Sequence, residues 1–247
     1  MGACRCLNPN GDFHISMWRY SDGYQHHDSN GVTIDQPMKF LILIWMGVLS
    51  FPVFAVLDPA SLNSKVFAMY VSTSPYCTSP KLIFSKDIAI FYDVFGFPTL
   101  GVTDNKDRSY DGTYSCLIFK MSERFTFRPN VTGGDSCLFT SVYTEDFCPQ
   151  GTQTVGVDGT SISCTNVGDE TVFLYLSTAS QTNDPDLVSE PFSPPSQGNT
   201  SKGIKLNSPV TISGVFSGRL VSDGTGRISA SGGSCTMALP KFSFVKE

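Results

Sequence analysis

The stretch YSCLIFKMSERFTFRP, residues 114–129, decides the fold of this chain. Its first part, Tyr114–Ser122, is an almost unbroken run of aromatic, branched and aliphatic residues. In its second part, Arg124–Pro129, Phe125 and Phe127 alternate with polar neighbours. A two-residue alternation of that kind belongs to a strand with one face against a core, and the alternative of an aromatic sugar-binding platform applies equally to Phe242 and Phe244. Glu123 interrupts the apolar text, so the sequence predicts two strands, 114–122 and 124–129.

The same grammar recurs along the chain, in KVFAMYVST (65–73), KLIFSKDIAIFYDVF (81–95), TVFLYLST (171–178), SPVTISGVFSGRLV (208–221) and KFSFVKE (241–247). Each run is rich in β-branched and aromatic residues, and no pattern of helical period persists for ten residues. Asp111-Gly112, Asp158-Gly159 and Asp223-Gly224 are tight-turn signals, as are the Gly-Gly pairs at 133 and 232. In GRLVSDGTGRIS (218–229) the turn separates two strand-like halves, which predicts a hairpin rather than a phosphate-binding loop, because no helix follows. Many short strands joined by turns predict an all-β, antiparallel sandwich. The irregular stretch 177–203, dense in Ser, Thr, Pro and Asn, reads as a long loop within one domain, since the 44 residues after it are few for a second sandwich.

The N-terminal region has a different character. Lys39 follows Met38, and no charge occurs from Phe40 to Ala55, a run of 16 residues broken by Pro52. A spanning helix needs about 20 apolar residues. Val53 and Ala55 stand at the positions a signal peptidase reads before a cut between Ala55 and Val56. Residues 1–37 carry Arg5 and Arg19 against four aspartates, so they lack the basic bias of a cytoplasmic tail. The expectation is an upstream extension over 1–37, a signal peptide over 38–55 and a mature chain over 56–247, with no stable membrane span after processing.

Processing changes the chemistry on offer. All three histidines (His14, His26, His27) and both tryptophans (Trp18, Trp45) lie before residue 56. A mature chain without histidine has neither Ser-His nor Cys-His nucleophilic machinery, nor a His-bearing zinc site. Of eight cysteines, Cys77, Cys116, Cys137, Cys148, Cys164 and Cys235 remain. An even number in an exported chain reads as a disulfide set, with Cys137–Cys148 the favoured local pair; zinc is the rival, but no C-x-x-C occurs among the six. Of 17 basic and 22 acidic residues, three and four lie before Val56, which leaves 14 against 18. That acidic balance, with no basic cluster, excludes a nucleic-acid footprint.

Two candidate sites use carboxylates. DRSYDG (107–112) sets Asp107, Ser109 and Asp111 at alternate positions before Gly112, the opening spacing of a calcium loop, with Asp104 as an extra oxygen ligand; the twelfth position is Ile118 where such a loop needs Glu, which favours a polar loop instead. Glu123, Glu145 and Asp146 could perform glycoside hydrolysis without histidine, although their sequence surroundings read as turns and solvated surface. The sequons at Asn130 and Asn199 matter only in a eukaryotic secretory pathway.

DGTYSCLIFKMS (111–122) resembles the Gly-x-Tyr strand opening of bacterial exported β-sandwich families with transthyretin-like or immunoglobulin-like folds. IKLNSPVTISG (204–214) and GGSCTMALPKFSFVKE (232–247) resemble their closing strands, where a Leu-Pro step precedes the last apolar strand. Order and spacing also resemble small Cys-containing exported proteins of uncharacterised function in predatory and related Gram-negative bacteria. The resemblance implies a sandwich and an envelope location, and it brings no catalytic residues. Together these readings predict a non-enzymatic structural or binding module of the cell envelope or exterior, without a cofactor, whose partner is an envelope or extracellular protein or glycan. A carboxylate-dependent glycan hydrolase and a calcium-stabilised adhesion module are the alternatives, and residues 101–113 and 177–203 are the loops in which binding is expected.

Overall fold

A computed structural model describes residues 55–93, 100–102, 109–165, 170–214 and 216–246. The extension 1–37, the hydrophobic run up to residue 54, Asp104 and Asp107 lie outside these residues. In chain order the strands begin with β1 (Ala55–Leu57), β2 (Pro59–Ser72), β3 (Lys81–Asp93), β4 (Leu100–Val102), β5 (Gly112–Tyr114) and β6 (Cys116–Pro129). They continue with β7 (Tyr143–Asp146), β8 (Gln153–Val155), β9 (Ser161–Ser163), β10 (Thr171–Ser177) and β11 (Ile204–Lys205). The last are β12 (Val210–Ile212), β13 (Phe216–Asp223), β14 (Ile228–Ser231), β15 (Ser234–Met237) and β16 (Lys241–Lys246). A single 3₁₀ turn, Pro185–Leu187, is the only helical element among the described residues. The chain is therefore all-β, and among the described residues every ladder is antiparallel apart from the parallel β10–β11 pair.

The opening stretch forms the centre of the largest sheet, ordered β11-β10-β6-β2-β3, with β7 also on β6. The two predicted strands 114–122 and 124–129 are one strand from Cys116 onward, and only Gly112–Tyr114 stands apart as β5. Glu123 does not end it, because the backbone of Glu123 stays paired: its amide donates to the Glu170 carbonyl and its carbonyl accepts from the Phe147 amide. Along one edge of β6 the partner changes at this residue, from β10 over Cys116–Ser122 to β7 over Arg124–Phe127. Along the other edge the β2 register shifts between Ser64↔Phe125 and Val66↔Met121, a bulge that bends the strand at the same point.

The first half of β6, Cys116–Met121, is nearly all apolar because both of its faces are covered. Leu117, Phe119 and Met121 enter the main core with Leu62, Met69, Leu174, Leu176 and Phe242, all nearly inaccessible. On the opposite face Cys116 and Ile118 pack with Cys77, Phe173 and Tyr175 under the β8–β9 hairpin. A strand with one wet face would alternate, and two dry faces remove that constraint.

Asp158-Gly159 closes the β8–β9 hairpin as its turn signal predicts: the Asp158 Oδ1 accepts from both the amide and the hydroxyl of Thr160. Gly232 and Gly233, with φ of 58° and 83°, close the two-residue β14–β15 hairpin, where successive positive φ values need glycine. The hairpin predicted around Asp223-Gly224 does not form. β13 pairs with β16 and β4, whereas β14 pairs with β1 and β15. The turn itself is present, held by Thr225 on the Asp223 carboxylate and by Gly226 on Asp58, and the strand after it joins β1 and β15 in another sheet.

All six cysteines of the expected mature chain are paired: Cys77–Cys116, Cys137–Cys235 and Cys148–Cys164. The expected local pair Cys137–Cys148 is overturned, because extended β7 lies between the two residues and carries them apart. The loop holding Cys137 instead lies beside β15, with the Ser136 hydroxyl directed to the Ser234 carbonyl.

Candidate functional site

The excursion 177–203 is not slack. Its Val188 and Phe192 are buried, and the Phe192 carbonyl accepts from the Val155 amide and the Thr154 hydroxyl. Thr154 is itself inaccessible, and its hydroxyl also accepts from the Phe173 amide, which ties the excursion to β10 through β8. The Gly203 amide returns to the Glu190 carbonyl, and Lys202 reaches the Glu190 carboxylate at 2.7 Å.

Where this excursion passes over β7 it walls a cleft of about 620 Å³. Phe125 and Phe147 line it, stacked with ring centroids 4.3 Å apart, and Phe242 braces Phe147 edge-on from the core. Pro191 and Phe192 form one wall, Met237 to Leu239 another, and Pro149 to Gln153 a third. The third wall starts beside the Cys148–Cys164 disulfide and turns on a bond from the Thr152 hydroxyl to the Pro149 carbonyl. Arg227 ties the other two together: its guanidinium donates twice to the Leu239 carbonyl and forks onto the Asp186 carboxylate at 2.5 and 2.8 Å. Each wall is thus fixed by covalent or hydrogen-bonded links outside the cleft, so the space is pre-formed.

Three acidic residues are among those lining this space, Glu145, Asp146 and Glu190, and the lining has no lysine or arginine. Arg124 approaches Asp146 from β6 at 3.5 Å, and Lys202 holds Glu190 below the usual carboxylate range. Glu145 has no ion-pair partner among the described residues; its carboxyl is pushed up by burial and then by the charge of Asp146. Behind Asp146, at the seam in β6, Glu123 is 1% exposed. Burial, with Glu170 and then Asp146 adding to it, pushes the Glu123 carboxyl up to about 7 against the opposing influence of Arg124.

The carboxylates that the sequence scatters over solvated surface therefore converge. β7 is the reason, because its register sets Asp146 against Arg124, one residue from Glu123, and Glu145 against Phe125. Glu190 has no signal of its own in the sequence, since its position depends on where the excursion docks. Of the calcium-loop candidates, Asp111 accepts from the Gly214 amide, which ties the entry to β5 to the turn after β12, while Asp104 and Asp107 lie outside the described residues. No group of three or more metal-ligating side chains occurs among the described residues, and no helix there is long and apolar enough to cross a membrane.

Comparison with known proteins finds no matching family model, curated protein or solved structure.

Proposed function

We propose that this chain is an exported, disulfide-braced β-sandwich that works as a binding module of the cell envelope or exterior and takes its ligand in the cleft over β7. The observation that carries the reading is the cleft itself, with an aromatic floor and walls pinned from outside. Ligand sites are of this kind: concave, largely apolar, pre-formed and supplied with a few polar groups. Three disulfides support the exported setting, because such bonds persist in oxidising compartments.

A second reading, a carboxylate-dependent glycan hydrolase, draws on Glu145 and Glu190. They line one cleft with their carboxyl groups driven in opposite directions, the arrangement that separates an acid from a base. One screen of the oxidised protein against envelope glycans and peptides separates the two readings. A ligand that binds without turnover, and is lost when Ala238→Trp fills the cleft, supports the module. Glycan turnover abolished by Glu145→Gln or Glu190→Gln establishes the hydrolase instead. Binding indifferent to Ala238→Trp removes the cleft from either account.

A further inference from the structure

Resting on the reading of the cleft as a binding site, we infer that its ligand carries a protonated amine on an apolar stem, with Glu145 as the counter-ion. The chemistry of the lining points there. Three acidic residues and no basic one line the space, and two of the three have counter-ions outside the lining, Arg124 from β6 and Lys202 from the far end of the excursion that carries Glu190. Glu145 alone lacks one among the described residues, yet it is half-buried beside the Phe125–Phe147 stack. A carboxylate in that setting gives up hydration without an opposite charge to replace it. A ligand ammonium supplies that charge, and the faces of aromatic rings are favourable to cations as well.

The remaining lining sets the rest of the ligand. Phe125, Phe147, Phe192, Met237 and Leu239 offer apolar area for a stem, which a simple inorganic cation would leave unused. An anionic ligand would meet the uncompensated charge of Glu145, with no basic side chain in the lining to receive it. Lysine side chains of a polypeptide and free organic amines share the required chemistry.

Three probes with one body test the inference by calorimetry: phenethylammonium, phenethyl alcohol and 3-phenylpropionate, joined by the blocked tripeptide acetyl-Phe-Lys-Phe-amide. The ammonium is expected to bind at least tenfold more tightly than the alcohol, and the carboxylate not at all. Glu145→Gln should bring the ammonium-to-alcohol ratio close to one while leaving the Tm of the free protein unchanged or raised, because it removes an unpaired charge. Asp146→Asn and Glu190→Gln should each lower the ratio by less. Tighter binding of the tripeptide assigns a polypeptide ligand, and preference for the free amine assigns a small one. If the alcohol binds as tightly as the ammonium, or Glu145→Gln leaves the ratio intact, the charge inference falls while a cleft sensitive to Ala238→Trp still stands. If no probe binds although a larger envelope polymer does so in the cleft, the inference falls alone. If nothing enters the cleft, the site reading falls with it.

Discussion

At the scale of single residues, Glu123 is the position where sequence and structure part most sharply. A lone Glu between an apolar run and an alternating one reads as a strand break, yet here it sits nearly inaccessible within a continuous strand. What the sequence could not carry is the change of ladder partner from β10 to β7, which satisfies the Glu123 backbone and hides its side chain. The consequence is a pH dependence of known sign. In the folded protein this carboxyl keeps its proton up to about pH 7, whereas its ordinary value is 4.5, so between those values folding takes up a proton. The contribution is complete below about pH 4.5 and is lost as pH rises through about 7, amounting to roughly 3 kcal/mol for the full difference. Glu123→Gln, which keeps the shape without the charge, should match the parent in urea unfolding near pH 5 and exceed it by up to about 3 kcal/mol at pH 8. A difference that is the same at both pH values would show that Glu123 does not hold its proton.

At the scale of elements, the strand runs were legible and their partners were not. The quoted runs fall on observed strands, 208–221 on two of them, β12 and β13, in different sheets, because β-branched and aromatic residues suit a pleated, buried surface whatever strand lies alongside. The hairpin expected from SDGTGR failed because a turn signal fixes a change of direction but not the strand that continues after it; Asp58, far away in sequence, captures Gly226. Residues 178–203 carry one 3₁₀ turn and two isolated bridges, and their order comes from tertiary bonds that no local pattern reveals. Two substitutions test that order. Gly203 has φ of 66°, and an added Cβ would lie 3.0 Å from the Ser180 hydroxyl oxygen and 3.3 Å from Pro195 Cδ. Gly203→Ala should therefore cost about 1–2 kcal/mol from the left-handed backbone alone, with crowding in addition, measured by urea unfolding. Arg227→Lys keeps the charge but gives up the planar fork onto Asp186 and the second bond to the Leu239 carbonyl. It should lower stability by about 1–3 kcal/mol, and in hydrogen exchange the Leu187 and Ala238 amides should lose protection before those of β6. Unchanged protection at both amides would show that Arg227 does not join the two walls.

At the scale of the whole molecule, the disulfides divide the work of restraining a chain whose pairings are mostly non-local. Their spans differ widely: 98 residues for Cys137–Cys235, 39 for Cys77–Cys116 and 16 for Cys148–Cys164. A cross-link acts chiefly by removing freedom from the unfolded chain, and its effect grows with the logarithm of the loop it closes. On that scale the longest should stabilise by nearly 5 kcal/mol and the shortest by about 3 kcal/mol. Paired Cys→Ala variants should accordingly fall in stability in the order of their spans, Cys137/Cys235 losing most. The Cys148/Cys164 pair should stand apart in a second measurement. Its loss frees the Pro149–Gln153 wall, so ligand binding in the cleft should weaken out of proportion to the modest change in unfolding free energy. The 98-residue bridge should show the reverse, because Cys137 and Cys235 do not line the cleft and their loss acts mainly on the unfolded state. The same oxidised sample decides the export reading: a chain beginning at Val56 and six hydrogens lighter than its reduced form carries three disulfides and has lost its signal segment, while an intact Met1 terminus would sink that reading. A cut there would take only Ala55↔Ala230 from the β1–β14 ladder, with Val56↔Ser229 and Leu57↔Ile228 beyond it, so the mature chain is expected to keep β1 on β14.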